Sequence, residues 1–261
     1  MMKTAFLRRA GPPLAALVLL LGLWEGLTRG LRIEPWLLPP PSAIATAGVR
    51  ESRTLWNAML TTGVAALLGF ALSATLGVLT AILLASSRLL ERAFYPYTLL
   101  LQTVPIVAIA PLLVLWFGPG TRAVAVSSFI VSLFPVITNT LTGLRSVEPA
   151  LRDLFHLYGA RRLATLWKLE LPAALPQLFT GLKVASGLAV IGAIVGEFVA
   201  GFSEDAAGLG ILVLTAYRQL RTDLLFAAVL AASVLGLALF GAVNLSGWRL
   251  LRRWHPSASG T

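Results

Sequence analysis

Few side chains in this sequence could do chemistry, and they do not gather. It has no cysteine and two histidines, His156 and His255. Disulfides, thiolate metal sites, iron–sulfur clusters and cysteine nucleophiles are thereby excluded, as is a histidine metal cluster within one chain. No triad, metal set or carboxylate pair qualifies as a catalytic constellation, which counts against an enzyme. The phosphate-cradling pattern G-x-x-x-x-G-K-[ST] is missing as well, so the chain is not itself an ATPase of that type. What remains are ionisable and amide side chains set inside apolar stretches. Glu197 lies three residues before the end of one such stretch, and an acid held in a membrane is costly and marks function. It is a candidate for an outer gate or pore. The plainer reading is a helix-end acid in water, or one paired with an arginine across a dimer. Gln102, Thr103 and Asn139, with Thr140, are candidates for a translocation path, although such residues also hydrogen-bond within and between membrane helices. His156 reads as a lone surface imidazole.

These residues must be positioned by membrane helices. The chain is 57% apolar and 12% charged, against about 25% charged for a soluble domain. A span needs about 20 apolar residues, and six stretches qualify: Pro12–Leu27, and stretches within Thr61–Leu84, Tyr97–Phe117, Ala123–Gly143, Leu178–Ala200 and Leu224–Leu245. The expected fold is all-α, a polytopic membrane protein with six transmembrane helices. The first stretch, preceded by Lys3, Arg8 and Arg9, also has the layout of a signal peptide. Trp24-Glu25-Gly26-Leu27 is a poor cleavage site, which favours an anchor. The runs Gly63–Gly77 and Gly181–Gly196 suit close helix packing.

Lys and Arg set the orientation. One side collects Lys3, Arg8, Arg9, Arg88, Arg92, Arg145, Arg152, Arg161, Arg162, Lys168, Lys183, Arg249, Arg252 and Arg253. The other has Arg29, Arg32, Arg50, Arg53, Arg122, Arg218 and Arg221. Both termini are therefore expected in the cytoplasm. The net charge of +10 is accounted for by topology beside anionic lipid, without nucleic acid. On the outer side, Pro39-Pro40-Pro41 forces an extended stretch and Ser42 can cap a short helix.

One connector is long and patterned. Residues 144–177 place Leu151, Leu154, Phe155 and Tyr158 at helical spacing, on one face of a short helix begun by Ser146, Glu148 and Pro149. Gly159 interrupts it. A second stripe follows at Leu163, Leu166 and Trp167, and Pro172 and Pro176 are expected to close the segment in a turn. Two short amphipathic helices hinged at Gly159 could transmit a push from a docked partner. The same pattern suits helices resting on lipid headgroups.

The segment Asp153-Leu154-Phe155, three residues, Gly159, nine residues, Leu169-Glu170-Leu171-Pro172 resembles the EAA loop of ABC-importer permeases, whose pattern is E-A-A-x3-G-x9-I-x-L-P. Asp replaces Glu, Leu-Phe replaces Ala-Ala, and Leu replaces Ile. Further points of similarity, to the branch with nitrate, sulfonate and taurine permeases, run from about residue 36 to 254. They are Leu38-Pro39-Pro40-Pro41-Ser42, Pro105 with Pro111, Phe117-Gly118-Pro119-Gly120, Glu197 with Gly208-Leu209-Gly210, and Arg252-Arg253-Trp254.

The resemblance implies a type I ABC-importer permease fold: a cytoplasmic N-terminus (1–11), a six-span permease domain (12–254) and a cytoplasmic tail (255–261). It implies a homodimer in the bilayer, a cytoplasmic ABC ATPase dimer carrying ATP and magnesium, and an extracytoplasmic substrate-binding protein. No cofactor is implied on this chain. Asp153, Leu154, Phe155, Gly159, Ala160, Leu169, Leu171 and Pro172 would form the ATPase-coupling loop. The cargo would be a nitrate-, sulfonate- or taurine-like anion or a related small metabolite. The competing expectation, an ion-coupled secondary transporter, calls for ionisable residues deep in the spans; apart from Glu197 and Lys183 there are none.

Overall fold

The computed structural model describes residues 2–200 and 207–252, with side chains from residue 11 onward. The expected tail 255–261, His255 and Arg253-Trp254 lie outside the described residues. Those described form helices and connectors without a strand. Along the chain run α1 (Met2–Gly30), α2 (Pro41–Arg50), α3 (Ser52–Ser86), α4 (Arg88–Thr103), α5 (Ile106–Phe117) and α6 (Thr121–Arg145). Then come α7 (Pro149–Leu157), α8 (Arg162–Thr165), a π turn (Leu166–Glu170), α9 (Leu171–Ala200), α10 (Leu209–Arg218) and α11 (Thr222–Leu251). Among the described residues, five helical stretches are long and apolar enough to cross a bilayer, and six if the bent pair α4–α5 counts as one.

That pair corrects the expected third span. Tyr97–Phe117 is not one straight helix: α4 and α5 meet at 97°. Pro105 dictates the break. A residue before proline is driven out of the helical region, and Val104 is extended at φ −70°, ψ 121°.

The chain divides into two compact units. One comprises the chain up to Trp56 with Leu212–Ala231. Here the carboxylate of Glu25, in α1, accepts hydrogen bonds from the Ser42 amide at 3.0 Å and the Ser42 hydroxyl at 2.7 Å. This corrects the capping role expected of Ser42. Pro40 is the cap residue of α2, without a side-chain bond, and Glu25 meets the exposed amide instead. Arg221 pairs with Glu51 at 2.8 Å, and that hydrogen bond holds the Glu51 carboxyl below its ordinary range.

The second unit, Asn57–Ile211 with the chain from Ala232, contains α6 packed along α9. Small residues allow the backbones to approach. A Cβ on Gly192 would lie 2.9 Å from the Ser128 Cα, and one on Gly181 2.7 Å from the Pro135 carbonyl oxygen. On the α3 side, a Cβ on Gly69 would meet Ser128, and one on Gly77 would meet Val136. The Ser127 hydroxyl donates to the Gly192 carbonyl at 2.7 Å, a type of contact that contributes on average about 0.6 kcal/mol between membrane helices. At the end of α6 nearest α7, Leu84, Ile137, Leu144 and Ala174 form a buried cluster, with Leu166 and Leu171 packed against it.

The long connector also differs from expectation. Pro172 and Pro176 do not form a turn; both lie within a helical run continuous from Arg162 to Ala200. The π turn explains how. It widens the ladder just before Pro172, with the Leu171 amide bonded five residues back to Leu166. A widened turn relieves the proline ring, which would otherwise clash with the preceding turn.

Candidate functional site

Two places in the second unit collect the residues singled out by sequence. The first is the elbow between α7 and α8. Gly159 sits at φ +66°, the left-handed conformation that side-chain-bearing residues resist. Its amide donates to the His156 carbonyl at 2.9 Å, and the Ala160 amide donates to the Phe155 carbonyl at 2.9 Å. This pair of bonds is a Schellman motif, which closes a helix end with glycine just past it. A Cβ here would meet no atom within 4 Å. The demand for glycine is therefore one of backbone conformation, not of space.

The elbow presents apolar side chains outward. No residue of α7 is buried, Leu157 and Tyr158 are 85% and 83% exposed, and Leu163 and Trp167 are nearly as open. Of the eight expected coupling residues, Asp153, Leu154 and Gly159 are exposed; Phe155, Ala160, Leu169, Leu171 and Pro172 are half-buried.

Beneath the elbow lies an arrangement that sequence reasoning missed. Glu170 is buried in the π turn and pairs with Arg162 at 2.7 Å and with Arg152 at 3.4 Å. Arg145, at the start of the same connector, pairs with Glu91 of α4. The available signal was a single acid flanked by leucines, Leu169-Glu170-Leu171, eight residues after an arginine pair.

The second place is a cavity of about 510 Å³ at the α4–α5 break, walled also by α6 and α9. It brings together Gln102 and Asn139 and adds Thr138. The remaining lining is apolar, including Val104, Phe134 and Val184, and none of it is charged. The Thr138 hydroxyl donates to the Phe134 carbonyl at 3.0 Å and the Asn139 amide to the Pro135 carbonyl at 2.9 Å. Thr103 does not reach the lining; its hydroxyl bonds back to the Leu100 carbonyl at 2.9 Å.

Glu197 stands apart from the cavity and is not the water-exposed helix-end acid of the plainer reading. It is 3% exposed. Its carboxylate accepts from the Thr62 hydroxyl at 2.7 Å and from the Gly210 amide at 2.6 Å, while the Leu209 amide donates to Thr62 at 2.8 Å. A Cβ on Gly208 would collide with this carboxylate, and one on Gly210 would lie 2.6 Å from the Ile194 carbonyl oxygen. Thr62 and Glu197 together thus cap the first two amides of α10 and tie them to α3 and α9, which is the physical content of the spacing from Glu197 to Gly208-Leu209-Gly210. Among the described residues no group of three or more His, Asp or Glu could hold a metal ion.

Residues 73–252 match the family described as "Binding-protein-dependent transport system inner membrane component". The chain belongs to this family. It is 34% identical to the formylaminopyrimidine transport permease protein ThiX of Halalkalibacterium halodurans, over 89% of this chain and 91% of that one. It is 35% identical to the riboflavin transport system permease protein RibX of Chloroflexus aurantiacus, over 92% and 89%. It is 28% identical to the taurine transport system permease protein TauC of Escherichia coli, over 93% and 89%. The protein is therefore an ABC-transporter permease of the multi-pass inner-membrane type, a transport subunit and not an enzyme. Membership in this family, not the shortage of ionisable residues in the spans, decides against the secondary transporter.

Proposed function

We propose that this permease is the membrane-crossing part of a binding-protein-dependent importer in which the elbow around Gly159 takes the push of a separate ATPase dimer. The observation that carries this reading is the elbow itself: a glycine-closed bend with Leu157 and Tyr158 almost fully open to a partner. Asp153, Leu154, Phe155, Gly159, Ala160, Leu169, Leu171 and Pro172 form the coupling surface and its root. ATP and magnesium bind the partner, and the permease responds through two conformations biased by nucleotide. A second copy of the chain completes the membrane unit, and an extracytoplasmic binding protein delivers cargo to it. Both termini and the elbow face the cytoplasm, in keeping with the excess of Lys and Arg on that side.

The cavity is the pathway segment in this reading, with Gln102 and Asn139 as its polar groups. Its character bears on the cargo. A charge moved into an apolar site is costly unless paired, and this lining holds amides and a hydroxyl but no cation. That supports a small uncharged metabolite ahead of a nitrate-, sulfonate- or taurine-like anion. Relatives named for formylaminopyrimidine and riboflavin point the same way.

The test is reconstitution of the permease with its ATPase and binding protein in liposomes. Copurification of the ATPase and ATP-dependent uptake of labelled formylaminopyrimidine or riboflavin are expected. A permease that binds no ATPase sinks the coupling reading. Uptake of taurine or nitrate in preference to both uncharged probes overturns the cargo assignment alone.

A further inference from the structure

Glu170 occupies the unspecified position of the L-x-L-P segment, so the loop pattern assigns it nothing. Its surroundings do. Its Oε1 accepts from Arg162 Nη1 at 2.7 Å and faces Arg152 Nε at 3.4 Å. Arg152 belongs to α7, ahead of the Gly159 turn, and Arg162 opens α8, beyond it. Each guanidinium also reaches a carbonyl at the end of a different span. Arg152 donates to Leu144, in α6, at 2.8 Å, and Arg162 to Ala85, in α3, at 3.4 Å. One buried carboxylate therefore gathers both arms of the elbow and ties them to α3, α6 and the root of α9.

We propose that Glu170 is the positioning residue of coupling: it makes the elbow and the start of the fifth span one rigid piece. Without it the two arms lose their shared anchor: each guanidinium keeps only its own carbonyl, Leu144 or Ala85, and a push on α7 is absorbed by bending at Gly159. With it, displacement of α7 is passed to α9, whose Val184 and Leu188 wall the cavity. This inference rests on the elbow being where the ATPase pushes. Removing the acid from a buried ion pair also leaves its partner without compensation; here that falls on the mostly buried Arg152, while Arg162 is half exposed to water. A glutamine at this position keeps the shape and loses the charge that holds them.

The cysteine-free sequence makes the test direct. Val184→Cys, in the cavity wall and half exposed, is labelled with bimane in the purified permease–ATPase complex in nanodiscs. Trapping with MgATP and vanadate is expected to shift the bimane emission. In Glu170→Gln the ATPase should copurify within twofold of the parent while the shift falls at least fivefold. A full shift in Glu170→Gln overturns the proposal. So does a parallel loss of ATPase binding, because the glutamate would then act in docking. If Glu170→Gln does not accumulate, Arg162→Ala replaces it, since that side chain is half exposed. At least a halved shift is then expected, and an unchanged one overturns the proposal. Failure of the parent complex to bind ATPase would instead fault the coupling reading itself.

Discussion

Gly159 and Gly208 both stand beside helix ends, yet they are required for opposite reasons. Gly208 has no room: a side chain there would strike Glu197. Gly159 has open space and an awkward backbone angle, φ +66°. The difference yields a prediction for the elbow. Asparagine visits the left-handed region readily, so Gly159→Asn should copurify with its ATPase at near-parental yield. Gly159→Val places a β-branched residue in that conformation, at a cost of about 1–2 kcal/mol or more, and should weaken ATPase binding and ATP-driven uptake while the membrane protein still accumulates. Equal behaviour of the two variants would show that the bend does not need its left-handed residue. At the same scale, Glu197 shows why an acid in a span is ambiguous in a sequence. Its type flags cost, but only its partners, Thr62 and Gly210, distinguish a cap from a gate.

Among the elements, α6 owes its fit to what its neighbours lack. It is lined by Ser127, Ser128 and Ser132, all buried, and met by glycines of α3 and α9. Gly192→Ala would drive a methyl to 2.9 Å from the Ser128 Cα, where neither backbone can yield, and should cost about 1–3 kcal/mol. Gly187→Ala, in the same helix with nothing within 4 Å, should be neutral or stabilising by up to about 1 kcal/mol. Thermal unfolding in detergent separates them. The glycine runs were legible as packing surfaces because small-residue spacing is a local property. The α4–α5 break was less so. Pro105 was visible, but apolar residues on both sides hid a bend, since hydropathy carries no direction. The π turn before Pro172 left no compositional mark, and proline therefore read as a stop.

For the molecule as a whole, membrane class, an all-helical fold with five to six apolar spans, and family were readable in the sequence. Long apolar runs and the spacing from Asp153 to Pro172 survive without knowledge of contacts. The Glu170 clamp and the uncharged cavity did not, since each joins residues from three or more helices. Labelling tests the proposed orientation. With no native cysteine, Tyr158→Cys should resist a membrane-impermeant maleimide in intact cells and react after lysis, while Val49→Cys, on α2, should react in both. The reverse pattern would invert the topology and place the elbow out of reach of any cytoplasmic ATPase.

The fifth span is fastened at two carboxylates, Glu170 before its first turn and Glu197 near its last. An α-helix completes a turn every 3.6 residues, so inserting one residue between them swings one carboxylate by roughly 100° relative to the other. Both knots could not then be tied at once. Away from its packed glycines the stretch between these two acids can change its side chains, but its length in residues is locked like the number of teeth on a gear.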